Sequence, residues 1–294
     1  MTRLQDDFFD YVNGEWEKTA VIPDDKPMTG GFMDLDQDIE KLMLATTDKW
    51  LAGQDVPDDP ILQNFVKYHR LVADFDGREQ AGVAPAMPLV EEYKALDSFK
   101  EFTGKIAEYE MAGKPNFFTF DVAPDFMNAQ MNVLWADAPG IILPDTTYYE
   151  EGNEKGKELL AIWRKMQEEL LPKFGFSAEE TKDILDKYLE LDAKLAKYVL
   201  SNEESSEYVK LYHPYDWADF TKLAPELPLD AIFTEILGQV PDKVIVPQER
   251  FWKEFAAECY SEKNWEHLHA ALKLFSTGAW TSLLTEEIRV LSGT

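Results

Sequence analysis

The chain has 294 residues, 45% of them hydrophobic and 13% aromatic, enough for a sizeable core in one large domain or two ordinary ones. Its 56 acidic against 29 basic residues leave a formal net charge of −27, which opposes close approach to nucleic-acid backbones and anionic membrane surfaces. A single cysteine, Cys259, excludes an internal disulfide and a cysteine-rich zinc site and suits a reducing compartment. The N-terminus lacks the apolar stretch of a secretory signal, and no run of about eighteen apolar residues occurs, so a cytoplasmic location is expected.

The first element, Asp6 to Lys26, reads DDFFDYVNGEWEKTAVIPDDK and sets Phe8, Phe9, Tyr11 and Trp16 in an acidic terminal strip. Chain ends are normally polar, whereas aromatic side chains need a surface to bury against. The strip is expected to dock, on this chain's own helices or on another body. Helical periodicity follows, with Phe32, Leu35, Ile39, Leu42 and Met43 in one stripe that stops at Gly53. A second stripe, Ile61, Phe65, Val72 and Phe75, follows the turn VPDDP and ends at Gly77; a third helix covers 98–112, capped by Asp97 or Ser98.

Between Asn116 and Trp135 the runs FFTFDV and AQMNVLW flank APDFMN, which predicts a β-hairpin. Helices are expected at 154–171, 229–237, 248–260 and 264–291, with a short β segment at KVIVP. Ser177 and Glu180 have capping-box spacing and open a helix through Ile184, Leu185, Tyr188, Leu191, Leu195 and Tyr198. The expected class is mainly α: a multi-helix lobe with one small β-hairpin near residues 116–136. The apolar stripes are assigned to its core.

No catalytic residue and no metal ligand is assigned. His69, His213, His267 and His269 are never followed by Glu, so H-E-x-x-H is absent, and His267 and His269, two apart on a helix, point in nearly opposite directions. Serine elbows, phosphate-cradling loops and dinucleotide glycine motifs are also missing. Paired acids such as Asp58 and Asp59 carry little information in so acidic a chain.

Three segments carry recognisable motifs. Asp7, Phe8, Phe9, Tyr11, Gly14 and Trp16, then Ile22 and Pro23, fit D-F-[FY]-x-Y-x-x-G-x-W followed by an I-P pair. Gly30, Gly31, Phe32 and Leu35 are similar to a G-x-F-[DE]-x-L helix start, and Gly140, Ile141, Leu143, Pro144, Tyr148 and Tyr149 to a G-[LI]-x-L-P-x-x-x-Y-Y segment. In this order the three resemble the neprilysin family of zinc metallopeptidases. The likeness is greatest to the bacterial cytoplasmic endopeptidase O branch. Asn13 stands where secreted members carry a disulfide cysteine, and Met28 and Asp36 stand where mammalian neprilysin has two arginines that receive a substrate's terminal carboxylate.

The resemblance implies a zinc-dependent endopeptidase whose metal and water-activating glutamate lie in a second half, with none of those residues in these 294. It implies that residues 1–25 dock on the absent catalytic lobe and that 26–294 form a helical domain walling a chamber that limits substrate size. Phe8, Phe9, Tyr11 and Trp16 are then docking residues, and Met28, Phe32 and Asp36 chamber-lining candidates. Expected partners are peptide substrates and the C-terminal catalytic lobe, without nucleic acid or membrane; zinc belongs to the full enzyme and not to this chain, which alone is expected to be inactive. The alternative is a non-catalytic helical protein that kept the scaffold and binds peptides.

Overall fold

In a computed structural model, residues 2–24, 26 and 28–293 are described. The expected segment limits at Met1, Asp25 and Thr294 lie outside the described residues. Two units divide the chain, one running to Asp74 and the other beginning at Phe75.

Among its described residues the first unit is built from three helices. In α1 (Phe8–Glu17) the Asp7 carboxylate accepts from Asp10 N at 2.9 Å and so satisfies one of the free amides of the first turn. Helix α2 (Gly31–Leu51) runs 21 residues and is closed by Gly53 at φ 75°, a conformation open to glycine without strain. Helix α3 (Pro60–Val72) starts on Asp59, which accepts from Ile61 N and Leu62 N at 2.8 and 3.1 Å, with Pro60 in the first turn where a missing N–H costs nothing. Trp50 of α2 meets Phe65 of α3 edge to face at 6.4 Å.

Among the described residues of this unit only Thr47 and Val66 are buried. The α2 stripe expected in the core, Phe32, Leu35, Ile39, Leu42 and Met43, is instead exposed along its whole length. Periodicity identified a face, and no element of the unit covers it. The second stripe also differs: α3 ends at Val72, and Gly77 lies inside a separate helix, Phe75–Ala81, that opens the second unit.

The second unit holds the hydrophobic core. Strands β1 (Phe120–Asp125) and β2 (Asn128–Ala136) form the predicted hairpin, with Phe120 opposite Ala136 and Val122 opposite Leu134. It is half of a four-stranded sheet: β3 (Pro214–Asp216) and β4 (Lys243–Ile245, within KVIVP) complete the order β1-β2-β4-β3, with β2 and β4 parallel. Asp125 ties the hairpin tip to the rest, accepting from Met127 N at 3.0 Å and Tyr212 Oη at 2.7 Å and pairing with Lys243. Chiefly through Lys243, its pKa is held down to about 2.

Helices flank the sheet. The Glu249–Glu254 helix sets Trp252 against β2, where its Nε1 donates to Ala136 O at 3.2 Å, and Tyr260 donates to Phe117 O at 3.1 Å. The Ala178–Leu195 helix has the predicted capping box at Ser177 and Glu180 and packs along the Trp265–Gly278 helix. Three expected helices are interrupted. Residues 98–112 split at Gly104 into Phe99–Thr103 and Ile106–Ala112, 248–260 splits at Phe255, and 264–291 becomes Trp265–Gly278, a 3₁₀ turn at Thr281–Leu283 and Glu286–Leu291 capped by Thr285. Apolar spacing carries across these breaks because the pieces pack on the same core.

Candidate functional site

The docking residues expected from sequence all project from α1. Phe8, Phe9, Tyr11 and Trp16 are 67, 61, 54 and 39% exposed. At helical spacing Phe8 shares a face with Tyr11 and Val12, and Phe9 with Val12 and Trp16, so aromatic surface continues around one side of the helix. The chamber-lining candidates lie just downstream: Met28 precedes α2, and Phe32 and Asp36 are one turn apart on it, Phe32 being 85% exposed. Together these side chains leave bulky apolar surface exposed on the first unit.

The third motif has a structural role in the second unit. The Tyr149 hydroxyl accepts from Leu143 N at 3.0 Å and donates to Asp192 Oδ2 at 2.6 Å, while Asp192 Oδ1 accepts from Ile142 N at 2.8 Å. One buried carboxyl thus fastens the Gly140–Tyr149 loop to the Ala178–Leu195 helix. Burial pushes Asp192 up to about 6 against the pull of those hydrogen bonds, and burial followed by Asp192 raises Tyr149 well above the usual phenol range. At the loop's far end Asp145 accepts from Asn202 N at 2.6 Å and Thr147 N at 2.8 Å. Sequence reasoning missed Asp192. Its signal was an acid spaced one, three and four residues from Leu191, Leu195 and Tyr188, on the core-facing side of a helix.

The histidines are structural. His267 Nε2 lies 3.4 Å from Glu190, while His269, two residues on, faces Tyr93 O at 2.8 Å and stacks on Trp265 at 4.8 Å. Burial, then Lys273, lowers His269 to about 4. His213 Nδ1 sits 3.2 Å from Val246 O, and His69 stacks on Phe65. Among the described residues no three His, Cys, Asp or Glu side chains converge as metal ligands, so these residues do not fit a zinc site. No helix among them is long and apolar enough to cross a membrane.

The sequence profile of peptidase family M13 matches residues 4–293. The chain belongs to peptidase family M13. Among M13 relatives, a Streptococcus gordonii protein that carries a zinc-metalloproteinase name is 64% identical over 293 residues, covering 100% of this chain and 52% of its own length. The neutral endopeptidase of Lactococcus lactis subsp. cremoris is 34% identical over 296 residues, 100% of this chain and 46% of its own. In fold, the chain matches the crystal structure of PEPO from Lactobacillus rhamnosis with a TM-score of 0.88 at 24% identity, over 100% of this chain and 46% of that one. This M13 chain spans about half the length of the curated relatives it matches. The family match thus runs over residues 4–293, and the fold match to PEPO covers this chain from end to end.

Proposed function

We propose that this chain is the N-terminal portion of a bacterial, cytoplasmic zinc metalloendopeptidase that hydrolyses short peptides. In this reading residues 26–294 wall a substrate chamber and exclude folded proteins by size. Residues 1–25 seat the lobe on a catalytic half, while Met28, just before α2, and Phe32 and Asp36 on α2 face the chamber. Zinc and the groups that activate water belong to that other half. The chain alone is inactive.

One observation carries the reading: α1, with no buried residue, holds out Phe8, Phe9 and Tyr11, each more than half exposed. Covering each such side chain is worth roughly 1.5–3 kcal/mol. A partner that covers such a surface stabilises it, and relatives about twice as long have room for one in the same polypeptide. Specificity then comes from exclusion by the wall, without any contact to the reacting atoms.

The test is reconstitution. Mixing the 294-residue chain with a separately produced second half of the Streptococcus gordonii relative should yield chelator-sensitive cleavage of short peptides that spares folded proteins. Chelator-sensitive cleavage by the 294-residue chain alone would contradict the reading.

A further inference from the structure

Within the second unit, the Ile106–Ala112 helix, the β1–β2 hairpin and the Leu229–Leu237 helix enclose a cavity of about 260 Å³. Its interior is apolar: Phe118, Phe120 and Leu134 rise from the hairpin side, and Ile232, Phe233 and Ile236 face them. Phe120 and Phe233 meet edge to face at 4.9 Å, which fixes the shape of the wall. A cavity of roughly 150 Å³ already admits benzene, so this one has room for an aromatic or leucine-sized side chain.

The mouth is sticky and negative. Met111, Val122 and Leu237 line it with 59, 51 and 42% of their surfaces exposed. Glu110 and Asp121 also line the cavity, and neither forms an ion pair among the described residues. Glu110 is half-buried, and the side-chain partner it has is the Asn116 amide at 2.8 Å. A carboxylate withdrawn from water without a cation is an arrangement that a bound cation improves.

The backbone beside the mouth is open as well. β1 is an edge strand of the sheet. Asp137 N donates to Thr119 O at 2.8 Å, so the alternation of an antiparallel pair turns the Val122 amide away from β2. That amide donates to the Asp121 carboxylate at 2.7 Å, a local substitute for a neighbouring strand. An edge with exposed amides is a template for an extended segment.

We propose that the cavity and the β1 edge together form a binding site for an extended peptide carrying a bulky apolar side chain next to a lysine or arginine. The apolar side chain enters the cavity, the cation lies against Glu110 and Asp121, and the peptide backbone runs along Val122. The proposal does not rest on the catalytic reading.

The probe is acetyl-Thr-Gly-Phe-Arg-Gly-Thr-amide, titrated by calorimetry into the 294-residue chain with chelator present. Saturable one-to-one binding is expected, weakened at least about tenfold when the peptide's Phe becomes Ala and about fivefold when its Arg becomes citrulline. Ile236→Trp, which fills the cavity, should abolish binding. Because that variant can also disturb the core, Glu110→Gln provides an independent arm: it should retain the dependence on Phe and lose the preference for Arg over citrulline. Absence of saturable binding, indifference to Phe→Ala in the peptide, or an unchanged Arg preference in Glu110→Gln each overturns the proposal. So does loss of peptide binding when the chain is continued by the second half of the Streptococcus gordonii relative, since the cavity would then belong to that half.

Discussion

Tyr149 and Asp192 are joined by a 2.6 Å hydrogen bond from phenol to buried carboxyl, and the same phenol accepts from Leu143 N at 3.0 Å. A single hydroxyl therefore closes the Gly140–Tyr149 loop and fixes it to a helix. Tyr149→Phe removes the hydroxyl, leaving the Leu143 amide and one Asp192 oxygen without this partner. The expected cost is about 1–3 kcal/mol, read as a lower urea midpoint with an unchanged slope.

Asp192 also gives stability a pH dependence of known sign. Its pKa rises from 3.8 to about 6 in the folded chain, so the native state holds a proton that the unfolded chain releases in that window. Its contribution is complete below the unfolded value and is lost as pH rises through about 6. His269, lowered from 6.5 to about 4, acts in the opposite sense: its contribution is present above 6.5 and lost as pH falls through about 4. Asp192→Asn should remove about 3 kcal/mol of the fall in stability across the acidic window, and His269→Gln should flatten the fall on acidification. Urea midpoints of each variant against the parent, taken through the acidic range, separate the two.

Gly156 tests packing against propensity. It lies in the Glu154–Leu170 helix, where alanine would ordinarily be favoured by about 1 kcal/mol. A Cβ at this position would meet the Tyr148 carbonyl oxygen at 1.9 Å and its carbon at 2.8 Å, both main-chain atoms. Gly156→Ala should therefore destabilise by roughly 1–3 kcal/mol in thermal unfolding, the opposite sign to the helix scale.

Met28 and Asp36 bear on substrate ends in the proposed full-length enzyme. Neither offers the bidentate cation that would hold a terminal carboxylate, and Asp36 would repel it. Amidating the C-terminus of a test peptide should leave turnover nearly unchanged, whereas a drop of about tenfold, equal to about 1.4 kcal/mol, would mean the carboxylate is recognised.

Much of this fold was legible because its signals are local. The Ser177 capping box and the hairpin around APDFMN appear where their residue types require them, and the 229–237 helix has the predicted limits. Strand β3 escaped notice because three residues, Pro214–Asp216, carry no period of their own and become a strand only by pairing with β4. Trp265–Gly278 and Glu286–Leu291 read as one helix because both point apolar residues at the same core. Phe32 and Leu35 show the deeper limit: spacing reveals that a helix has an apolar face, not that any element of the chain packs against it.

The central claim is that the aromatic face of α1 is a seat for a second half of the polypeptide. Hydroxyl-radical labelling, read residue by residue by mass spectrometry, measures that face directly in the 294-residue chain and in the same chain continued by the second half of the Streptococcus gordonii relative. Labelling of Phe8, Phe9 and Trp16 should fall severalfold in the longer protein while Met127, 77% exposed at the hairpin tip, keeps its reactivity. Equal labelling of those three aromatics in the two proteins would contradict the claim.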